Sequence, residues 1–293
     1  MTDTHVPARV FPRAQQDAET AKHGVSTPQT EHPAYKLAFQ DLDFLLREDL
    51  RPVRFQLELL KPEIVFEEAK IASTFVMYGS ARIPEPVKAQ ALLDAAPADG
   101  PERRIAERLV AKSKYYDIAR ELAHKVSSFP RDVSGMRHFV VTSGGGPSIM
   151  EAANRGAVDA GAETIGLNIV LPHEQAPNPY VTPSLSLQFH YFALRKMHFL
   201  LRARALAAFP GGFGTFDELF ELLTLIQTGK IKPIPVLLYG REFWERVVNF
   251  PALVEEGVIS ERDLKLFTYC ETADEGWDVV RAFYRDKPGM ELP

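Results

Sequence analysis

The sequence predicts an α/β protein: a Rossmann-like, doubly wound parallel sheet with an N-terminal helical extension. Three observations carry this. Short apolar runs rich in β-branched and aromatic residues alternate with amphipathic stretches of helical period, the pattern of βαβ units whose sheet is covered on both faces. The connections are long enough for right-handed crossovers between parallel strands. Three glycine-rich breaks, YGSAR at 78–82, TSGGGPSIMEAANRGA at 142–157 and FPGGFGTFDE at 209–218, each follow a strand-like run, and such sheets bind ligands outside the carboxyl ends of their strands.

Taken in order, residues 1–32 mix Pro, Thr, Gln, His and scattered charge without a period and are expected to be a disordered tail. Residues 33–71 hold two amphipathic runs, YKLAFQDLDFLL and VRFQLELLKPEIVFEEAKI, expected as a helical arm or cap. The Rossmann-like domain then occupies 72–293. Its strands are expected at about 75–79, 138–142, 164–170, 205–209, 234–239 and 267–271. Helices are expected at about 102–127, 148–160, 191–204, 215–228, 242–256 and 274–285. Two connections, IPEPVKAQALLDAAPADGP and PHEQAPNPYVTPS, exceed ordinary loop length and read as rims over a site.

Composition narrows the function. With 293 residues, 45% hydrophobic, the chain can build a substantial core. A net charge of −5 opposes a protein that coats nucleic acid, which needs a broad basic surface. The single cysteine, Cys270, cannot form an internal disulfide and lies in a strand-like run, where a buried structural thiol is expected. No apolar run approaches the ~18 residues of a membrane span, and the N-terminus lacks an apolar signal core. A cytoplasmic protein without a membrane partner is the expectation.

The common nucleotide fingerprints are missing. Gly144 and Gly146 have the spacing that opens a GxGxxG turn, but Ile149 takes the place of the third glycine; Gly229-Lys230 precedes Ile231, not Ser or Thr. HEQAP at 173–177 lacks the second histidine of a zinc protease helix, and the eight histidines show no metal spacing. Neither a metal nor a cofactor is expected. FPGGFGTFDE supports two readings. Thr215 and Glu218 form the Thr-x-x-Glu of a capping box, and acids suit the first turn of a helix. A cap does not require a three-glycine approach, however, whereas a phosphate against bare backbone N–H groups does. Upstream, FHYFALRKMHFLLRAR carries Arg195 and Lys196, either as a solvated basic face or as a local concentration of positive charge at the same crevice.

PGGFGTFDE, taken with FALRK and GGGPSIMEAANRGA, resembles the LOG (Lonely Guy) family of cytokinin riboside 5′-monophosphate phosphoribohydrolases, many of which carry a lysine decarboxylase label. The likeness covers roughly residues 70–245. It implies hydrolysis of the N-glycosidic bond of a nucleoside 5′-monophosphate to free base and ribose 5-phosphate, by a homodimer or higher homo-oligomer with sites near the subunit interface. The same resemblance implies Arg195 and Glu218 as the catalytic pair. Lys196, Gly211, Gly212, Gly214 and Thr215 match one ligand-contacting wall; Gly79, Ser80, Gly145, Gly146, Met150 and Glu151 match the other. Ser148 stands where a glycine is common.

Cleaving a ribosyl C–N bond develops positive charge on the sugar, so a carboxylate beside it is favourable. Glu218 is expected to hold ribose hydroxyls and orient or deprotonate water. Arg195, a permanent cation, is expected to clamp phosphate and stabilise the departing base electrostatically. Ser80 and Met150 are expected to add a hydrogen bond and an apolar contact. A non-catalytic nucleotide or phosphorylated-cofactor carrier of the same fold is the alternative. A decarboxylase would instead need pyridoxal phosphate on Lys196, and an N-terminal arm acting as an effector element would make this a regulated enzyme.

Overall fold

The computed structural model describes residues 11–128, 135–172 and 176–285. Residues 173–175 of the HEQAP run, like the first ten residues of the expected tail, lie outside the described residues. Contacts divide the chain into two compact units, the first ending at Glu58 and the second beginning at Leu59. No helix among the described residues is long and apolar enough to cross a membrane.

The first unit contains helices α1 (Ala14–Ala21), α2 (Pro28–Glu31) and α3 (Leu42–Leu45) and the beginning of α4 (Arg51–Glu68). The run YKLAFQDLDFLL, expected as one helix, is broken into a 3-10 turn at Ala38–Gln40 and the single turn of α3. Asp41 causes the break: its carboxylate accepts from the Phe44 amide at 3.2 Å, so it starts a new turn instead of continuing the old one. Arg54 closes this segment by donating to the carbonyls of Leu45 and Arg47, at 2.9 and 2.6 Å.

The second unit is a seven-stranded parallel sheet in the order β4-β3-β2-β1-β5-β6-β7. The strands are β1 (Thr74–Tyr78), β2 (Val140–Ser143), β3 (Ile165–Ile169), β4 (Ser186–Phe189), β5 (Ala203–Ala208), β6 (Val236–Tyr239) and β7 (Thr268–Cys270). Their connecting helices are α5 (Pro86–Ala95), α6 (Pro101–Ser127), α7 (Ile149–Asp159), α8 (Phe192–Leu201), α9 (Phe213–Gln227), α10 (Arg241–Val247), α11 (Phe250–Glu255) and α12 (Ala273–Tyr284). This is the Rossmann-like α/β fold expected. β1, β2 and β6 are buried at every residue, as strands covered on both faces must be.

In the second unit, several elements depart from expectation. β4 is absent from the six expected strands; it is an edge strand whose burial alternates, Leu187 and Phe189 inward and Gln188 outward, so it lacks the continuous apolar run of its neighbours. α5 occupies the first over-long connection, opened by Pro86 at its first turn. The helix expected over 242–256 is two, because Asn249 caps a new start, accepting from Ala252 at 3.2 Å, and Pro251 follows in its first turn. Cys270 is buried at the end of β7, and burial pushes its thiol up to about 12, which keeps it inert.

The strand order reverses at β1, which has β2 on one side and β5 on the other. The crevice at this switch point is where the glycine-rich loops meet.

Candidate active site

The loops after β1, β2 and β5 are bonded to one another. Ser80 donates its amide to the Pro210 carbonyl at 3.1 Å, and the Ser148 hydroxyl donates to the Ala81 carbonyl at 3.0 Å. Behind the second loop lies a buried polar network. The Ser143 hydroxyl donates to Asn154 Oδ1 at 2.7 Å, Asn154 Nδ2 to the Thr164 hydroxyl at 2.8 Å, and Asn178 Nδ2 to Asn154 Oδ1 at 2.9 Å. Asn178 also holds the carbonyls of Gly145 and Gly146, at 2.8 and 3.0 Å, which fixes the turn at Gly145, φ +70.

The loops surround an open cleft of about 840 Å³. One side is Gly79, Ser80 and Arg82, with Met150 alongside; the other is the first turn of α9 with Phe213, Gly214 and Thr215. α9 starts two residues earlier than expected, with Gly212 at its N-cap and no side-chain cap. The capping box does not form. Thr215 is buried, its side chain packed so closely on Gly211 that a Cβ there would lie 2.1 Å from Thr215 Oγ1. Gly212 and Gly214 have nothing within 4 Å of an added Cβ. The glycines therefore divide by role: Gly211 makes room for Thr215, while Gly212 and Gly214 leave the positive end of α9 open to an anion.

Glu218, one turn into α9, meets Arg195 from α8: Nη2 donates to Oε1 at 2.8 Å, and the two side chains are only 10% and 12% exposed respectively. The guanidinium lies between the rings of Phe192 and Phe199, at 5.0 and 5.7 Å from their centroids. Its Nε has no hydrogen-bond partner among the described residues. Burial pushes the Glu218 carboxyl up to about 7; the Arg195 charge pulls the other way and only partly offsets it. A carboxyl with that pKa can accept and release a proton near neutrality.

The other residues singled out from the sequence have packing or ion-pair partners of their own. Lys196 lies outside the cleft lining, ion-paired with Asp217 and Glu221 at 3.1 Å each. Glu151 accepts from the Tyr116 hydroxyl at 2.9 Å. Gly79 provides a close approach to α7, an added Cβ there falling 2.4 Å from Ile149 Cγ2. Sequence reasoning missed several lining residues, Tyr78, Arg82 and Phe213 among them. Tyr78 and Arg82 flank the glycine of YGSAR and could have been found there; Phe213, 96% exposed at the mouth, carried no signal beyond its place between glycines.

Fold and cleft together define a Rossmann-like protein with an uncapped helix N-terminus beside a buried acid–guanidinium pair. Residues 150–280 match the family described as "Possible lysine decarboxylase". Among curated proteins, the cytokinin riboside 5′-monophosphate phosphoribohydrolase LOG2 of Arabidopsis thaliana is 28% identical over 168 residues, 56% of this chain and 74% of that one. LOG3 of the same plant is 29% identical over 168 residues, 56% and 73%. These matches bear out the resemblance to the LOG family. Among solved structures, the molybdenum cofactor carrier protein of Chlamydomonas reinhardtii matches with a TM-score of 0.43 and 19% identity, over 73% of this chain and 99% of that one.

Proposed function

We propose that this protein hydrolyses the N-glycosidic bond of nucleoside 5′-monophosphates, releasing free base and ribose 5-phosphate. The observation that carries the proposal is the Arg195–Glu218 pair, 2.8 Å apart, buried beside the uncapped N-terminus of α9. In this reading the phosphate sits against the amides that open α9, with Arg82 adding charge from the rim. Glu218 then faces the sugar. As the carboxylate it orients and deprotonates water and stabilises positive charge developing at the anomeric carbon. Arg195 holds that carboxylate in place and stabilises negative charge passing to the base. The relatives' printed activity, on cytokinin riboside monophosphates, supports the same substrate class. We read the working form as a homo-oligomer, with light scattering of the purified protein as the check.

The test is release of ribose 5-phosphate from AMP, GMP, CMP and isopentenyl-AMP, by wild type and by Glu218→Gln. Turnover lost in the folded variant supports the assignment; near-normal turnover removes Glu218 from the mechanism. A nucleotide that stabilises wild type yet returns intact would make the protein a carrier.

A further inference from the structure

Tyr78, the last residue of β1, is only 3% exposed and lines the cleft. Its ring meets Phe199 edge-on with centroids 5.1 Å apart, and Phe199 also backs the Arg195 guanidinium. Packing therefore fixes the phenol at the Arg195–Glu218 end of the cleft. Its hydroxyl makes no hydrogen bond to another described residue. The ring is buried while the residue borders the cleft, so a bound molecule can meet the hydroxyl, and phenol donors ordinarily find a partner. Burial, then the nearby Glu218 charge, holds the hydroxyl's pKa well above its usual value, so it remains a donor at any working pH.

A second phosphate is not the missing partner, since it would lie against the Glu218 carboxylate. A sugar hydroxyl fits, because one such group can donate to the carboxylate and accept from the phenol at once. We propose that Tyr78 is a substrate-contacting residue whose hydroxyl donates to a ribose hydroxyl oxygen of the bound nucleotide beside Glu218. The inference rests on the nucleotide-hydrolase reading above and deepens it: the site selects ribose over deoxyribose.

The test compares kcat/KM for AMP, 2′-deoxy-AMP and 3′-deoxy-AMP in wild type and Tyr78→Phe, which keeps the ring on Phe199. Wild type should prefer AMP over at least one deoxy analogue by about 10-fold, the worth of one hydrogen bond. Tyr78→Phe, melting at the wild-type temperature, should lose that preference by falling about 10-fold on AMP while holding its rate on that analogue. Equal losses on all three nucleotides, unchanged activity on AMP, or a wild type indifferent to both hydroxyls would overturn it. The wild-type ratios need no variant, so they decide for or against ribose selection even where Tyr78→Phe fails to fold. Wild type that cleaves none of the three ends the hydrolase reading and this inference with it; normal AMP cleavage without ribose discrimination ends only the inference.

Discussion

Ser148 sits at φ +63, ψ −120 and spends its hydroxyl on the Ala81 carbonyl, 3.0 Å away across two loops. A residue with a Cβ is strained there, by about 1–3 kcal/mol, and the hydrogen bond offsets part of it. Ser148→Ala keeps the strain and loses the bond, whereas Ser148→Gly loses both. The glycine variant should be the more stable of the two by about 1–2 kcal/mol in urea unfolding, the reverse of the usual order in a helix. Equal stabilities would mean the backbone there is relaxed.

The glycines before α9 should separate under mutation. Gly211→Ala drives a methyl into Thr215 and should destabilise the fold by about 1–3 kcal/mol. Gly212, at φ −102, can take a side chain without strain and has open space around it. Gly212→Ala should therefore melt close to wild type while its KM for nucleotide rises about 10-fold or more, because the methyl stands where the phosphate must approach. Thermal melts and steady-state kinetics on both variants read the difference.

Glu218 sets the pH dependence. If the carboxylate is the working form, kcat/KM should be flat above about 7 and fall tenfold per pH unit below it, following the raised pKa. Arg195 opposes the raising, so Arg195→Ala should move the acid limb to higher pH as well as lower the plateau. An acid limb near 4.5 in wild type would show that burial does not govern this group.

Lys196 follows Arg195 in sequence, but its ammonium is spoken for by Asp217 and Glu221. Lys196→Ala should leave KM within about twofold and cost at most about 1 kcal/mol of stability, as partly exposed ion pairs do. A tenfold rise in KM would bring Lys196 back to the ligand.

Asn154 holds the second loop from behind. Asn154→Ala leaves Ser143, Thr164 and Asn178 short of partners in a buried setting, and about 3 kcal/mol of stability should go with it in chemical denaturation.

The central strands are legible because a strand covered on both faces has to be apolar throughout, as FVMY and VLLY are. β4 carries a different pattern, every second residue, and a search for continuous apolar runs passes over it. The start of α9 differs from expectation for a chemical reason. Thr215 and Glu218 have the residue types of a cap, and only tertiary contacts show that Thr215 fills the space over Gly211 and Glu218 turns to Arg195. Glycines reveal where backbone must be bare; they do not reveal which of them serves packing and which faces the cleft. Tyr78 belongs to the YGSAR motif, yet its bearing on the cleft depends on which face of β1 meets Phe199, which no local pattern states.

Arg195 and Glu218 come from α8 and α9, joined by β5 alone, so the pair is encoded in one uninterrupted stretch of chain. Recombination or design can transplant that stretch whole, and the acid and its guanidinium would travel together. The first two loops could then diverge to suit another base without unsettling the pair.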